Sequence, residues 1–213
     1  MQARAVETRR RILDAAARVF SRHGYAAGTT NRIAVEAGLS IGSLYQYFPN
    51  KDAILVALVR THMDDGAAAV GAAAVEARHL PLDDLTSRAR LVVDAFVDVH
   101  AGDPALHQVL FEQAPRPPEL LAELRALEDA AVAVAVELLP VADRGTTARA
   151  TTARVVVTTI ESLVHRLIAT TEPAMPVDDV RREVTAVVVR YLSADPGALD
   201  PSSRRSSNRS VEK

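Results

Sequence analysis

Two groups of residues in this chain have the types and spacing to do chemistry. Between Thr29 and Lys51 the run TTNRIAVEAGLSIGSLYQYFPNK gathers Thr30, Asn31, Arg32, Ser40, Ser43, Tyr45, Gln46, Tyr47 and Lys51 around the small Ile41-Gly42 step. Hydroxyls, amides, a guanidinium and an ammonium at this density can hydrogen-bond phosphates and base edges. The second group is dispersed. His100 lies one helical turn after Phe96, His107 one turn before Phe111, and Glu161 and His165 are spaced i, i+4. Polar groups on otherwise apolar faces are candidates to orient a ligand, since a pocket needs only a few of them. Each also has an ordinary structural reading, at a solvent rim or satisfied by a nearby carbonyl or its i+4 partner. His100, His107 and Glu112 lack the tight spacing on one element of a metal site, so neither metal nor cofactor is expected. His62-Met63-Asp64-Asp65 reads as a solvated helix face.

The first group needs elements to hold it. Thr30 is placed to cap a helix through its hydroxyl, and Ile33, Ala34 and Ala37 give that helix an apolar face. Gly38 falls where a left-handed residue ends it, and Ser40 can cap the next helix two residues later. Pro49 cannot continue that second helix, and Asn50 caps another beginning at Lys51. Two short helices joined by a tight turn form a helix-turn-helix unit. Ahead of it, a helix over Val6–His23 places Ile12, Ala16, Val19 and Phe20 on one face, Gly24 ends it, and Tyr25 packs over the small core. With Leu44 and Phe48 filling the packing role, Tyr45 and Tyr47 are expected to be exposed.

Composition limits the rest. The chain has 213 residues, 48% hydrophobic and 4% aromatic, which allows one large or two modest domains. Ala- and Val-rich periodic segments punctuated by Pro favour an all-α protein. Without cysteine there is neither a disulfide frame nor a thiolate site. No apolar run approaches the ~18–20 residues of a membrane span, and the N-terminus lacks an apolar signal core, so a cytoplasmic location is expected. The net charge of −2 hides an asymmetry. Residues 1–51 carry eight Arg or Lys against Glu7, Asp14 and Glu36, or +5, which leaves −7 for the remainder. A basic end on an acidic body fits a polyanion partner at that end. Lys51 and Lys213 are the only lysines beside twenty-three arginines, so a compact ammonium at Lys51 suits a point-charge phosphate contact.

Further helices are predicted from Lys51 to the low 70s, over Asp83–Ala101, and from Asp103-Pro104 to before Pro115. Others run from Pro117-Pro118 to Leu139, over Thr147–Thr171 and over Val177–Ser193. In the Asp83–Ala101 helix, Leu85, Val92, Ala95, Phe96 and Val99 face inward and Asp94 and Asp98 face water. Residues 140–146 read as a linker, TEPAMP joins the last two helices, and from Asp195 the composition predicts disorder. Stripes of Val156, Ile160, Leu163, Val164 and Leu167, and of Val180, Val184, Val187, Val188 and Tyr191, offer the last two helices as a pairing surface.

The pattern Ile12-Leu13-x-Ala15-Ala16-x-x-x-Phe20-x-x-x-Gly24-Tyr25 resembles the TetR family of bacterial transcriptional repressors. The likeness continues through Thr29-Thr30, Ile33-Ala34, Ala37-Gly38, Ser40, Gly42-Ser43-Leu44-Tyr45-x-Tyr47-Phe48 and Lys51. The resemblance implies about nine helices: three for DNA, four around a ligand cavity, and helices 8 and 9 forming a homodimer. It implies phosphate contacts from Tyr45, Lys51, Thr30 and the start of helix 2. It turns Ile41, Gly42, Ser43 and Tyr47 toward base edges in a major groove about 12 Å wide. Asn31 and Arg32 would reach bases or backbone, and Gln46 would read adenine or lie along the backbone.

The expectation is an all-α chain with an N-terminal three-helix helix-turn-helix DNA-binding domain (1–50), a helical effector-binding and dimerisation domain (51–194) and a disordered tail (195–213). Its function would be that of a ligand-responsive homodimeric repressor on a near-palindromic operator, released by a small, mainly apolar effector. With only Phe96 and Phe111 as bulky walls, the cavity would be chiefly aliphatic, with His100, His107, Glu161 and His165 as its polar groups. A ligand there would tilt helix 4 and move the DNA-binding heads. An effector-independent regulator or activator is the alternative. A small helical enzyme is a third, against which no Gly-rich phosphate loop, His-Glu metal motif or Ser-His-Asp arrangement stands out.

Overall fold

Caps set most of the helix starts. A computed structural model of the chain describes residues 2–138, 146–169 and 175–194. Among these the elements are α1 (Gln2–Ala27), α2 (Thr30–Glu36), α3 (Ile41–Tyr45), α4 (Lys51–Arg78), α5 (Leu85–Ala101), α6 (Pro104–Gln108), α7 (Pro118–Leu138), α8 (Thr146–Ala169) and α9 (Val177–Ser193). One π-helical turn, Val109–Gln113, follows α6. Ser40, Asn50, Asp84 and Asp103 each accept a backbone N–H three residues ahead, satisfying a donor that the first helical turn leaves unpaired. The expected Thr30 cap is displaced by one residue. Thr29 is the cap, accepting from Arg32 N at 3.3 Å, and Thr30 opens α2.

Gly24 (φ 68°) breaks α1 near its end, and Gly38 (φ 66°) closes the turn after α2. At Gly38 that left-handed backbone lets Leu39 N reach Ala34 O at 2.9 Å, a conformation glycine adopts without Cβ strain. No helix among the described residues is long and apolar enough to cross a membrane.

The core runs through the head into the body. Ile12, Ala16, Phe20, Ile33 and Leu44 are buried with Ile54, Leu55 and Leu58 of α4 and with Val109, Leu110 and Leu120. A second core joins Val93 and Val97 of α5 to Val156, Ile160 and Val164 of α8 and Val180, Val184 and Val188 of α9. Much of the apolar stripe expected to pair two copies is therefore spent within the chain, because α5 lies against both last helices. The rotation of α5 also differs from expectation. Val93 and Val97, not among the residues expected to face inward, are buried. Asp94 is half-buried against Arg181 of α9, whose Nη1 lies 3.4 Å from its Oδ1. Asp98 also binds Arg181 but keeps the expected exposure. Helix α4 outlasts the expected low 70s by a turn, ending at Arg78. All but the last residue of the 140–146 linker, all but the last two of TEPAMP, and the tail from Asp195 lie outside the described residues.

Candidate functional site

The first candidate surface is the outer face of α2 and α3. Buried Leu44 and Phe48 seat α3 on the head core, while Ile41, Gly42, Tyr45 and Gln46 are exposed beside Asn31 and Arg32 of α2. Thr30 Oγ1 and Tyr45 Oη lie 3.2 Å apart, so the two expected phosphate contacts share one patch. Ser40 caps α3, and its Oγ lies 2.8 Å from Ser43 Oγ; half-buried Ser43 is thus tied to the cap. Tyr47 departs from expectation: it is half-buried and packs on the core, one wall of the seat under α3. Lys51 Nζ donates to the Tyr25 carbonyl at 2.9 Å and lies 4.0 Å from the centre of that ring. One of its three N–H groups therefore rivets α4 to the end of α1, and two remain for another partner. The Tyr25 hydroxyl also bonds Asp52.

Several head cations act within the head. Arg18 and Arg22 share Glu36 at 2.7 and 3.5 Å, and the Arg18 bond holds the Glu36 carboxyl below the usual carboxylate range. Arg11 Nη2 donates to Ala37 O at 2.7 Å, at the carbonyl end of α2. Such exposed pairs add little stability, but they hold α1 and α2 in register beneath α3.

The second candidate is a cavity of about 520 Å³ among α4, α5, α7 and α8. Its walls are mostly aliphatic, with Val92, Val99, Leu124, Val134 and Ile160 among them, and Phe96 and Phe111 supply the aromatic surface. Of the six residues expected to hold a ligand, Phe96, His100, Phe111, Glu161 and His165 line it. His107 sits behind the wall, 2% exposed, with Nε2 2.6 Å from His165 Nδ1. His165 therefore meets His107 rather than the expected i−4 partner, Glu161.

The fourth histidine was not expected. His62 lines the cavity with Met63, so only Asp64 and Asp65 of that stretch keep the predicted exposure. His62 lies 5.3 Å from His100 and 5.2 Å from His107, ring centre to ring centre. His100 lies 4.4 Å from His107 and 4.6 Å from His165. The signal was present in the sequence: Leu55, Val59, His62 and Gly66 share one helical stripe. Glu112 is exposed outside the cluster and takes a bond from Gln108 Nε2 at 3.3 Å.

Burial disfavours the charged form of each ring. It lowers the pKa of His62 and, aided by neighbouring imidazoles, takes His100 to about 4, His165 to about 3 and His107 to about 2. At neutral pH the four rings are uncharged and keep lone pairs. Desolvation, with the charge of Glu128 nearby, raises the Glu161 carboxyl. Arg116 Nη2 donates to Phe111 O at 2.5 Å at the mouth, and Arg88, 5% exposed, donates to Leu138 O at 2.9 Å.

Comparison with known proteins gives matches over both halves. Residues 12–58 match the family model described as "Bacterial regulatory proteins, tetR family". Residues 84–192 match "Tetracyclin repressor-like, C-terminal domain". The HTH-type transcriptional activator FasR of Mycolicibacterium smegmatis is 29% identical over 134 residues, which is 62% of this chain and 59% of FasR. The HTH-type transcriptional repressor SCO4008 of Streptomyces coelicolor is 32% identical over 104 residues, 49% of this chain and 48% of that protein. The chain thus spans less than two thirds of the length of these curated relatives. The crystal structure of a TetR-like transcriptional regulator from Rhodococcus sp. RHA1 shares the fold, with a TM-score of 0.64 at 22% identity over 88% of this chain and 97% of that one.

Proposed function

The chain belongs to the TetR family of bacterial regulatory proteins, and from that premise we propose that it is a homodimeric, ligand-responsive transcriptional regulator acting as a repressor. The observation that carries the reading is the pairing of two sites on one lever. The exposed face of α3 sits at one end of α4, and the cavity opens along its other part. In this reading residues 1–50 are the DNA-binding domain and 51–194 the effector-binding and dimerisation domain.

Tyr45, Thr30 and the two N–H groups left on Lys51 would hold phosphates. Ile41, Gly42, Ser43, Gln46, Asn31 and Arg32 would approach bases, with Tyr47 bracing α3 from behind. A helix of five residues reads few base pairs alone. Two heads on a two-fold axis would place two such helices about 34–36 Å apart, one turn of DNA, on a near-palindrome. Val155 of α8 and Val187 and Tyr191 of α9 remain exposed, and those outer faces would pair the copies. The effector would be small and mainly apolar, because the cavity walls are. Displacing α4 would change the head separation, and a coupling of about 1–3 kcal/mol would relieve repression about 5–150-fold.

Selection of duplexes from a random pool with the full chain tests the reading. Enrichment of a near-palindrome bound by a dimer is expected; enrichment of no duplex, or of an isolated half-site bound by one chain, contradicts it. Mass spectrometry of the purified protein under native conditions should find an apolar small molecule released on unfolding. A transcription assay on the selected duplex separates repression from activation.

A further inference from the structure

Four of the chain's six histidines converge from four helices, three of them lining one wall of the cavity and His107 directly behind it. One ring nitrogen from each of His62 (α4), His100 (α5) and His107 (α6) lies within 4.8 Å of the others. We propose that these three histidines bind one divalent first-row transition ion, with His165 as the residue that positions His107. The site rests on this geometry alone; only its regulatory consequence rests on the function proposed above.

Hydrogen bonding has already prepared the donors. His100 Nδ1 lies 2.5 Å from the Phe96 carbonyl, which can only accept, so the proton sits on Nδ1 and the Nε2 lone pair is available. Metal-bound imidazoles are commonly oriented by such a bond at the other nitrogen. His107 Nε2 meets His165 Nδ1 at 2.6 Å, the two rings within 3° of parallel. Its Nδ1 is buried without a protein hydrogen-bond partner. That nitrogen is open to a water or an ion. The low-dielectric surroundings keep the rings neutral, the state in which imidazole coordinates.

The donor set selects the ion. Three imidazoles and no thiolate suit Zn²⁺, Ni²⁺, Co²⁺ or Cu²⁺, whereas Mg²⁺ and Ca²⁺ prefer oxygen. Three protein ligands leave at least one coordination position toward the cavity, the arrangement of an open site. Bonds of about 2.0–2.1 Å put tetrahedral donors about 3.4 Å apart, so the ion would draw the present separations of up to 4.8 Å inward. That contraction acts on two attachments of the head. His62 belongs to α4, which starts at Lys51. His107 belongs to α6, whose capping Asp103 accepts a hydrogen bond from Ser21 of α1 at 2.9 Å. Coordination therefore pulls at both links, and a lower affinity for DNA is the consequence.

The test uses the full chain stripped by a chelator and titrated without DNA, with Co²⁺ followed by visible absorption and Zn²⁺ by calorimetry. One ion per chain is expected, with affinity lowered at least ~10-fold in H62Q and in H107Q and about 10–100-fold in H165Q. H79Q, which alters an exposed histidine outside the cluster, should bind as the parent does. X-ray absorption of the wild-type Co²⁺ form, which needs no variant to fold, should show a nitrogen shell with imidazole scattering. No stoichiometric binding, undiminished binding in H62Q and H107Q, or an all-oxygen shell would overturn the site. The regulatory arm is separate: a selected duplex titrated with and without Zn²⁺ should bind more weakly with the ion. Equal affinity at a filled site would overturn the coupling, and failure to select any duplex would overturn the DNA-binding function while leaving the ion site standing.

Discussion

Gly28 shows how much one absent carbon can matter. It is buried, and a Cβ there would meet Phe20 Cδ1 at 2.4 Å and the Gly24 carbonyl at 2.9 Å. Gly28→Ala must displace a fully buried ring or the backbone, so thermal denaturation should show a loss of about 1–3 kcal/mol. This close approach lies outside any periodic or capping pattern, since it depends on how the chain folds back over α1 after Gly24. The residues of the helix-turn-helix were legible because their spacing is local: Ser40 and Asn50 cap as expected, and Gly38 takes the left-handed conformation. Thr29 and Thr30 are chemically alike, so a cap one residue off is the error that spacing permits. His62 was missed because two acids follow it, masking the stripe it shares with Leu55 and Val59.

At the scale of elements, α4 is the piece whose start and orientation matter to both sites. Asn50 Oδ1 accepts from Ala53 N at 2.8 Å. Asn50→Ala should therefore cost about 0.5–2 kcal/mol of stability by chemical denaturation, and Asn50→Ser should recover most of it. Asp103 does two things at once, capping α6 through Leu106 N and holding Ser21. Ser21→Ala removes only the second. Its folding stability should stay within about 1 kcal/mol of the parent, while any effect of a cavity ligand on DNA affinity should weaken, read by anisotropy on a selected duplex. Helix existence was legible throughout, and α9 keeps both its expected ends. Rotation was not: α5 is apolar enough to bury Val93 and Val97 on one side and present Val92 and Phe96 to the cavity on another. Periodicity alone does not tell one buried face from two.

For the whole molecule, internal packing leaves Val155, Val187 and Tyr191 outside. If these outer faces of α8 and α9 pair two copies, Val187→Asp with Tyr191→Asp should yield a folded monomer by light scattering. That monomer should bind the selected duplex at least ~10-fold more weakly, because two half-sites no longer act together. Which faces stay exposed is settled only once α5 has taken its place: the stripe predicted on α8 packs wholly inward, while that on α9 mixes buried Val180, Val184 and Val188 with exposed Val187 and Tyr191. The basic head on an acidic body was legible as a charge count, yet Arg11, Arg18 and Arg22 prove to brace α1 against α2. In the proposed function recognition therefore falls to the exposed face of α3, with Asn31 and Arg32 of α2 beside it. Anisotropy on a duplex selected with the parent protein, comparing it with Tyr45→Ala/Gln46→Ala at two salt concentrations, tests this most directly. Both side chains are exposed, so the double variant should melt with the parent and lose at least ~10-fold in affinity, while its dependence on salt stays that of the parent because neither side chain carries a charge. An unchanged affinity in a folded double variant would contradict the assignment of α3 as the surface that reads DNA.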